Sequence, residues 1–272
     1  MPELPEVETV AAALRQHLPR KQITAVIVRC EKLRRPIPVT ELQKEVNSLI
    51  VKVWRRAKYL LIDLDSGRTL VIHLGMSGTL RIVPENEPAK RHDHLDIRLS
   101  DGSVLRYRDP RRFGLVILVK PDAEGQIAEL GDLAPEPLSE EFNTEYLFKL
   151  SRKRTTPLKT FIMDQRRVVG VGNIYASESL FRAKIRPTCK TGSLSRKQCQ
   201  LLVDTIKEVL KEAIAVGGTT ISDFHGVDGT EGAFVLNLQV YGRTGEPCPE
   251  CGTAIKKITL GGRSTFYCPK CQ

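Results

Sequence analysis

The chain has 272 residues, 41% hydrophobic and 27% charged, a composition that fits a folded globular protein and excludes a disordered or membrane-embedded one. Forty-two Lys and Arg against 32 Asp and Glu leave a net charge of +10 and a pI near 9.3, a surplus that favours a polyanionic partner held by salt-sensitive phosphate contacts. The longest apolar runs, such as Gly114 to Val119, are too short to span a bilayer, and the acidic N-terminus lacks a signal peptide's basic and apolar regions, so a cytoplasmic protein is expected.

The chain opens Met1-Pro2-Glu3-Leu4-Pro5-Glu6. Removal of Met1 leaves Pro2 with a free secondary amine. Such an amine attacks an aldehyde-level carbon to give a charged iminium directly, and Glu3 beside it is placed to move protons. Residues 5 to 18 are expected to be helical, because Pro5 suits the first turn and Val7, Val10, Leu14 and Leu18 recur on one face. The positive end of that helix disfavours an ammonium at Pro2 and keeps the amine reactive.

From residue 22 to 119 the pattern changes to short β-branched runs near 22–30, 49–53, 59–64, 69–74, 79–83, 94–99, 104–108 and 115–119, separated by turn residues such as Asp65-Ser66-Gly67. Strands joined this closely must be mostly antiparallel, which predicts a β-sandwich packed with the first helix. Within it, strand alternation across Trp54 to Leu60 puts Arg56 and Lys58 on one face with Trp54. Two turns carry unusual tips. His73-Leu74-Gly75-Met76-Ser77-Gly78 offers a flexible apolar side chain, and Asp109-Pro110-Arg111-Arg112-Phe113-Gly114 offers arginines beside an aromatic; proteins that extrude a base from a duplex need such wedges.

A Pro-, Gly- and acid-rich linker over 121–138 separates this domain, 1–120, from a helical one over 139–240. Helices are expected near 140–150, at 157–165 with Thr156 as N-cap, at 173–184 and at 195–216, the last with a core stripe of Leu202, Ile206, Val209, Leu210 and Ala213. Gly170-Val171-Gly172-Asn173 places a glycine turn at a helix start, where backbone N–H groups and Asn173 can hold a phosphate. Residues 217–232 read as a glycine-dotted loop.

The third segment is 241–272. Of seven cysteines, Cys248, Cys251, Cys268 and Cys271 form two C-x-x-C pairs sixteen residues apart, the spacing of a zinc ribbon. Four thiolates fill a tetrahedral site, so one Zn2+ is expected in a structural role, holding a hairpin with Arg263 at its tip.

Taken in order, Pro2-Glu3-Leu4-Pro5-Glu6-Val7-Glu8-Thr9, Arg56-Ala57-Lys58-Tyr59, the two tipped turns, Gly170 to Tyr175 and the finger closely resemble the bacterial formamidopyrimidine-DNA glycosylases, also called 8-oxoguanine DNA glycosylases, over the whole length. The resemblance implies an α+β enzyme with an N-terminal β-sandwich, a helix-two-turn-helix domain and a zinc finger, with DNA in the cleft between. It implies that Pro2 attacks C1′ of a damaged nucleotide, that Glu3 is the assisting acid, and that Lys58 and Arg263 serve the first and second eliminations. His92, Arg111, Arg154, Lys159, Asn173 and Arg263 fall on the family's DNA-contact positions, and Met76, Arg111 and Phe113 on its wedge. The partner is then damaged double-stranded DNA, bound by a monomer that needs no nucleotide cofactor.

Three departures stand out: Ala134-Pro135 where the family usually has Gly-Pro, Arg154 for a common lysine, and Pro157 in the helix after it. The segment 219–232 has a sequence of its own. Two alternatives differ in class or substrate. Endonuclease VIII, a related enzyme that prefers oxidised pyrimidines, typically starts Pro-Glu-Gly-Pro-Glu, which Leu4 disfavours; a DNA-binding module without catalysis would have no need of Pro2, Glu3 and Lys58.

Overall fold

The computed structural model describes residues 2–218 and 238–272. Of these, 2–131 with 217–218 form one compact unit and 132–216 with 238–272 a second. The loop expected over 217–232 lies, beyond Gly218, outside the described residues.

The first unit begins with α1, Leu4–His17, whose Leu4, Val7, Val10, Ala11 and Leu14 are buried at helical spacing. Eight strands follow: β1 Ile23–Val28, β2 Ile50–Arg56, β3 Tyr59–Leu64, β4 Thr69–His73, β5 Thr79–Pro84, β6 Asp93–Leu99, β7 Ser103–Arg108 and β8 Leu115–Val119. They pair antiparallel throughout, as one sheet of order β1-β6-β7-β5 and another of order β2-β3-β4-β8. A single apolar cluster draws Val26, Ile97, Leu105 and Leu80 from the first sheet, Val53, Leu60, Ile72 and Val116 from the second, and Val10 and Leu14 from α1. The expected sandwich is therefore present. A short helix, α2 Val39–Gln43, was not expected, because five residues carry no readable period.

One detail of the strand reading is corrected. β2 and β3 pair Arg56 with Tyr59, so Ala57 and Lys58 are the two residues of a hairpin turn, and Ala57 has φ of 53°. Strand alternation therefore stops at Arg56 and does not decide where Lys58 faces.

In the second unit the helices are α3 Thr144–Ser151, α4 Leu158–Ile162, α5 Asn173–Arg182 and α6 Arg196–Ala215. Ser195 and Gln198 form a capping box on α6, and the expected stripe is buried. α4 is shorter than expected. Pro157, at φ −53° and ψ 137°, is its N-cap and not its first helical residue, as an extended backbone there requires. Strands β9 Lys256–Leu260 and β10 Arg263–Tyr267 close a hairpin through Gly261 and Gly262. Both glycines have positive φ, 53° and 71°, as a tight two-residue turn demands, and Arg263 consequently opens the strand beside the tip. Among the described residues no helix is long and apolar enough to cross a membrane.

Candidate active site and nucleic-acid interface

In the first unit, Pro2 and Glu3 are buried at the start of α1, with Glu3 only 2% exposed. Glu3 is the N-cap, in extended conformation at φ −101° and ψ −169°. Its backbone N–H donates to Glu6 Oε2 at 2.8 Å, one half of a capping box. That bond fixes the peptide next to Pro2. Gly218 packs on the same carboxylate: a Cβ there would lie 2.8 Å from Glu6 Oε1, and its φ is 89°. Glu6 thus holds the chain start.

Lys58 is 4% exposed in its turn. The imidazole of His73 lies on β4, edge-on to the Tyr59 ring at 4.9 Å, and its Nδ1 accepts the Gly75 N–H at 2.9 Å. Burial, with the charges of Arg34 and Lys58 adding to it, pushes its pKa down to about 3. His73 is therefore a neutral acceptor that shapes the turn carrying Met76.

The two tipped turns are built against each other. A Cβ at Gly75 would lie 2.5 Å from both the Phe113 carbonyl carbon and the Gly114 nitrogen, and one at Gly114 would overlap the Tyr107 hydroxyl. Only glycine permits backbones this close. Behind them sits Asp109, fully buried: Oδ1 accepts the Ser77 hydroxyl at 2.6 Å and the Arg111 N–H at 3.2 Å, and Oδ2 accepts the Gly114 N–H at 2.8 Å and the Tyr107 hydroxyl at 3.2 Å. Burial, reinforced by the Asp109 charge, raises the Tyr107 phenol far above its usual range, so it remains a donor. The result is a closely braced base whose tips stand towards solvent. Phe113 is 48% exposed, Met76 is half-buried, and the Arg111 guanidinium lies 4.8 Å from the Phe113 ring centroid. His92, half-buried at φ 75°, has its imidazole held below the ordinary range by burial and by Arg91 and Arg108. Its carbonyl accepts the Asp109 N–H at 3.1 Å, which ties it to the same turn.

In the second unit, Lys159 is 1% exposed. Its Nζ donates to Asn173 Oδ1 at 2.7 Å, to the Ser264 carbonyl at 3.1 Å and to Thr265 Oγ1 at 3.0 Å. Asn173 is the first residue of α5 and half-buried, whereas Arg263 and Arg154 are exposed. The hairpin turn rests on α4, since a Cβ at Gly261 would meet Thr160 at 3.4 Å. Glu178, buried on α5, accepts the N–H groups of Gln239, Val240 and Tyr241 at 2.8, 3.0 and 2.8 Å and so anchors the chain entering the finger. Sequence reading missed Asp109 as an anchor and Glu178 altogether.

The four cysteine Sγ atoms lie within 4.8 Å of one another, with Cys248–Cys271 at 3.9 Å and Cys251–Cys268 at 3.5 Å. Zn–S bonds of about 2.3 Å place tetrahedral thiolates about 3.8 Å apart, so the donor set fits one Zn2+. Cys248 and Cys268 are buried in a small core with Phe181, Val240, Ile255 and Phe266. The metal is structural: its four thiolates leave no open position, and it fixes the hairpin that carries Arg263.

Comparison with known proteins finds three family matches along the chain. Residues 1–116 match the formamidopyrimidine-DNA glycosylase N-terminal domain, 133–225 its H2TH domain, and 245–272 a zinc finger found in FPG and IleRS. Formamidopyrimidine-DNA glycosylases of Teredinibacter turnerae and Thioalkalivibrio sulfidiphilus are 52% and 50% identical, each comparison covering 100% of both chains. Among solved structures, a Lactococcus lactis FPG variant in complex with a Fapy-dG containing DNA superposes with a TM-score of 0.92 at 35% identity, and the Lactococcus lactis Fpg with an abasic site containing DNA with 0.91 at 34%. Each covers 100% of this chain and 99% of the other. With its three segments matched in order and about half its residues shared end to end, the chain belongs to the formamidopyrimidine-DNA glycosylase family.

Proposed function

We propose that this DNA repair glycosylase is bifunctional: it excises oxidised purines, 8-oxoguanine and formamidopyrimidines, from duplex DNA and then cuts the strand as an abasic-site lyase. The Pro2 nitrogen lone pair forms a bond to C1′ as the bond from C1′ to the base breaks, and the base departs with that electron pair and takes up the proton that the Pro2 nitrogen releases. Glu3 supplies the proton that opens the sugar ring, which leaves an iminium between Pro2 and C1′. The positive iminium acidifies C2′–H. Loss of that proton expels the 3′ phosphate, with Lys58 holding phosphate, and a second elimination assisted by Arg263 expels the 5′ phosphate.

The observation that carries this reading is the burial of Pro2 and Glu3 at the positive end of α1, with the intervening peptide fixed by Glu6. That setting disfavours protonation of the amine and holds it in one place. Met76, Arg111 and Phe113 supply the wedge that fills the stack when the base leaves, and His92, Arg154, Asn173 and Arg263 contribute to holding the DNA. A Lactococcus lactis FPG has also been crystallised with an oxidised pyrimidine containing DNA, so the substrate panel should include that lesion.

The test is incision of end-labelled duplexes carrying 8-oxoguanine opposite cytosine, a formamidopyrimidine, or an oxidised pyrimidine. The proposal predicts fastest cutting at the two purine lesions and a one-nucleotide gap with phosphate at both ends. Base release that leaves the strand intact would refute the lyase, and preference for the pyrimidine would place the enzyme with endonuclease VIII.

A further inference from the structure

The second unit contains a buried cation that joins its own helix to two other segments. Lys159 leaves α4 and reaches Asn173 at the start of α5, and it also reaches the Ser264 carbonyl and Thr265 hydroxyl on β10 of the zinc hairpin. At 1% exposure its ammonium lies behind the surface. Position in the family's pattern makes Lys159 a DNA contact; its burial and its partners give it a different task.

An asparagine amide has one acceptor edge and one donor edge, and turning it by a half-rotation exchanges them. An ammonium has only donors. At 2.7 Å from Nζ, the atom of Asn173 facing Lys159 must be the oxygen, which directs the two N–H donors away from the buried side. Asn173 stands at the first position of α5, where the backbone N–H groups of a ten-residue helix already favour an anion. With the opposite orientation its oxygen would repel a phosphate at that place.

We infer that Lys159 is a positioning residue for DNA binding: it sets the orientation of the Asn173 amide so that both N–H donors face a phosphate, and it ties that orientation to the zinc hairpin through Ser264 and Thr265. The inference rests on the DNA-binding reading above. In it Lys159 touches no DNA. The hairpin and the start of α5 are held by one charge, so Asn173 and the strand that Arg263 opens are kept in register with each other.

The test is a double-mutant cycle in the full-length, zinc-loaded protein, using Lys159→Met, which keeps the aliphatic stem, Asn173→Ala, and the pair. The readout is affinity for a fluorescent duplex carrying a tetrahydrofuran abasic-site analogue. Each single change is expected to weaken binding on the order of tenfold, and the double change no further, because both remove the same pair of donors. The Asn173 side-chain amide resonances, identified by their loss in Asn173→Ala, should move in Lys159→Met toward the positions of an exposed asparagine. Additive losses near a hundredfold, unshifted amide resonances, or wild-type affinity in Lys159→Met would each overturn the inference.

Should Lys159→Met fail to fold, Asn173→Asp serves in its place, since its carboxylate keeps Lys159 paired but offers no N–H. It is expected to retain zinc and melting temperature and to bind at least tenfold more weakly; wild-type affinity would overturn the inference. Incision by the wild type, run alongside, separates the two failures. A wild type that cuts with an additive cycle sinks only the role of Lys159, whereas one that neither binds nor cuts sinks the enzyme reading itself.

Discussion

The two units hold their exposed tips by opposite charges. In the first, the buried carboxylate of Asp109 gathers donors from Ser77, Arg111, Gly114 and Tyr107 and fixes the turns that present Met76, Arg111 and Phe113. In the second, the buried ammonium of Lys159 delivers donors to Asn173, Ser264 and Thr265 and fixes the surface that presents Asn173 and Arg263. A buried charge is costly unless hydrogen bonds surround it, and both are surrounded. The difference follows from what each must hold. The turns around Asp109 offer free backbone N–H groups, which only an acceptor can gather; the hairpin and Asn173 offer oxygens, which only a donor can join. In both, rigidity comes from behind, so the residues at the surface need contribute little to stability.

The comparison breaks most readily at Asp109. Asp109→Ala leaves the Gly114 N–H and the Ser77 and Tyr107 hydroxyls without their acceptor, while the Arg111 N–H keeps Ser77 Oγ at 3.2 Å, and should cost about 3 kcal/mol, read in denaturant unfolding, with Asp109→Asn losing roughly half as much because one oxygen remains. A loss below about 0.5 kcal/mol in Asp109→Ala would mean that glycine packing alone holds the turns.

A smaller effect sharpens the same region. His73 is pushed down to about 3 in the folded chain from an ordinary 6.5. Below pH 6.5 the unfolded chain binds a proton that the folded chain refuses, so stability falls as pH drops from 6.5 towards 3 and is unaffected well above 6.5. Between pH 6.5 and 5.5 the loss should be about 1 kcal/mol, and His73→Gln should remove that part of the slope. Equal slopes in the two proteins would show that His73 titrates normally.

Much of this was legible in the sequence because the signals are local. The four cysteines declare their site by spacing and the helix stripes by period. What escaped depends on partners distant in sequence or on backbone that breaks a period. Glu178 accepts from residues about sixty positions away, and the ligands of Asp109 come from two turns as well as β7. Lys58 was misread by alternation because a two-residue turn with positive φ at Ala57 interrupts it. Lys159 entered the sequence reading only through the family resemblance, as a DNA contact, and nothing local tells a buried ammonium from an exposed one. Its neighbours arrive from Asn173 and from β10, about a hundred residues later.

The central claim is that the chain's own terminal amine, freed by loss of Met1, performs the chemistry. Its most direct test is borohydride reduction of the protein on a duplex with 8-oxoguanine opposite cytosine, followed by mass mapping of the adduct. The account predicts one reduced cross-link, on Pro2. An adduct on Lys58 or any other lysine, or strand cutting with no trappable adduct, would contradict it.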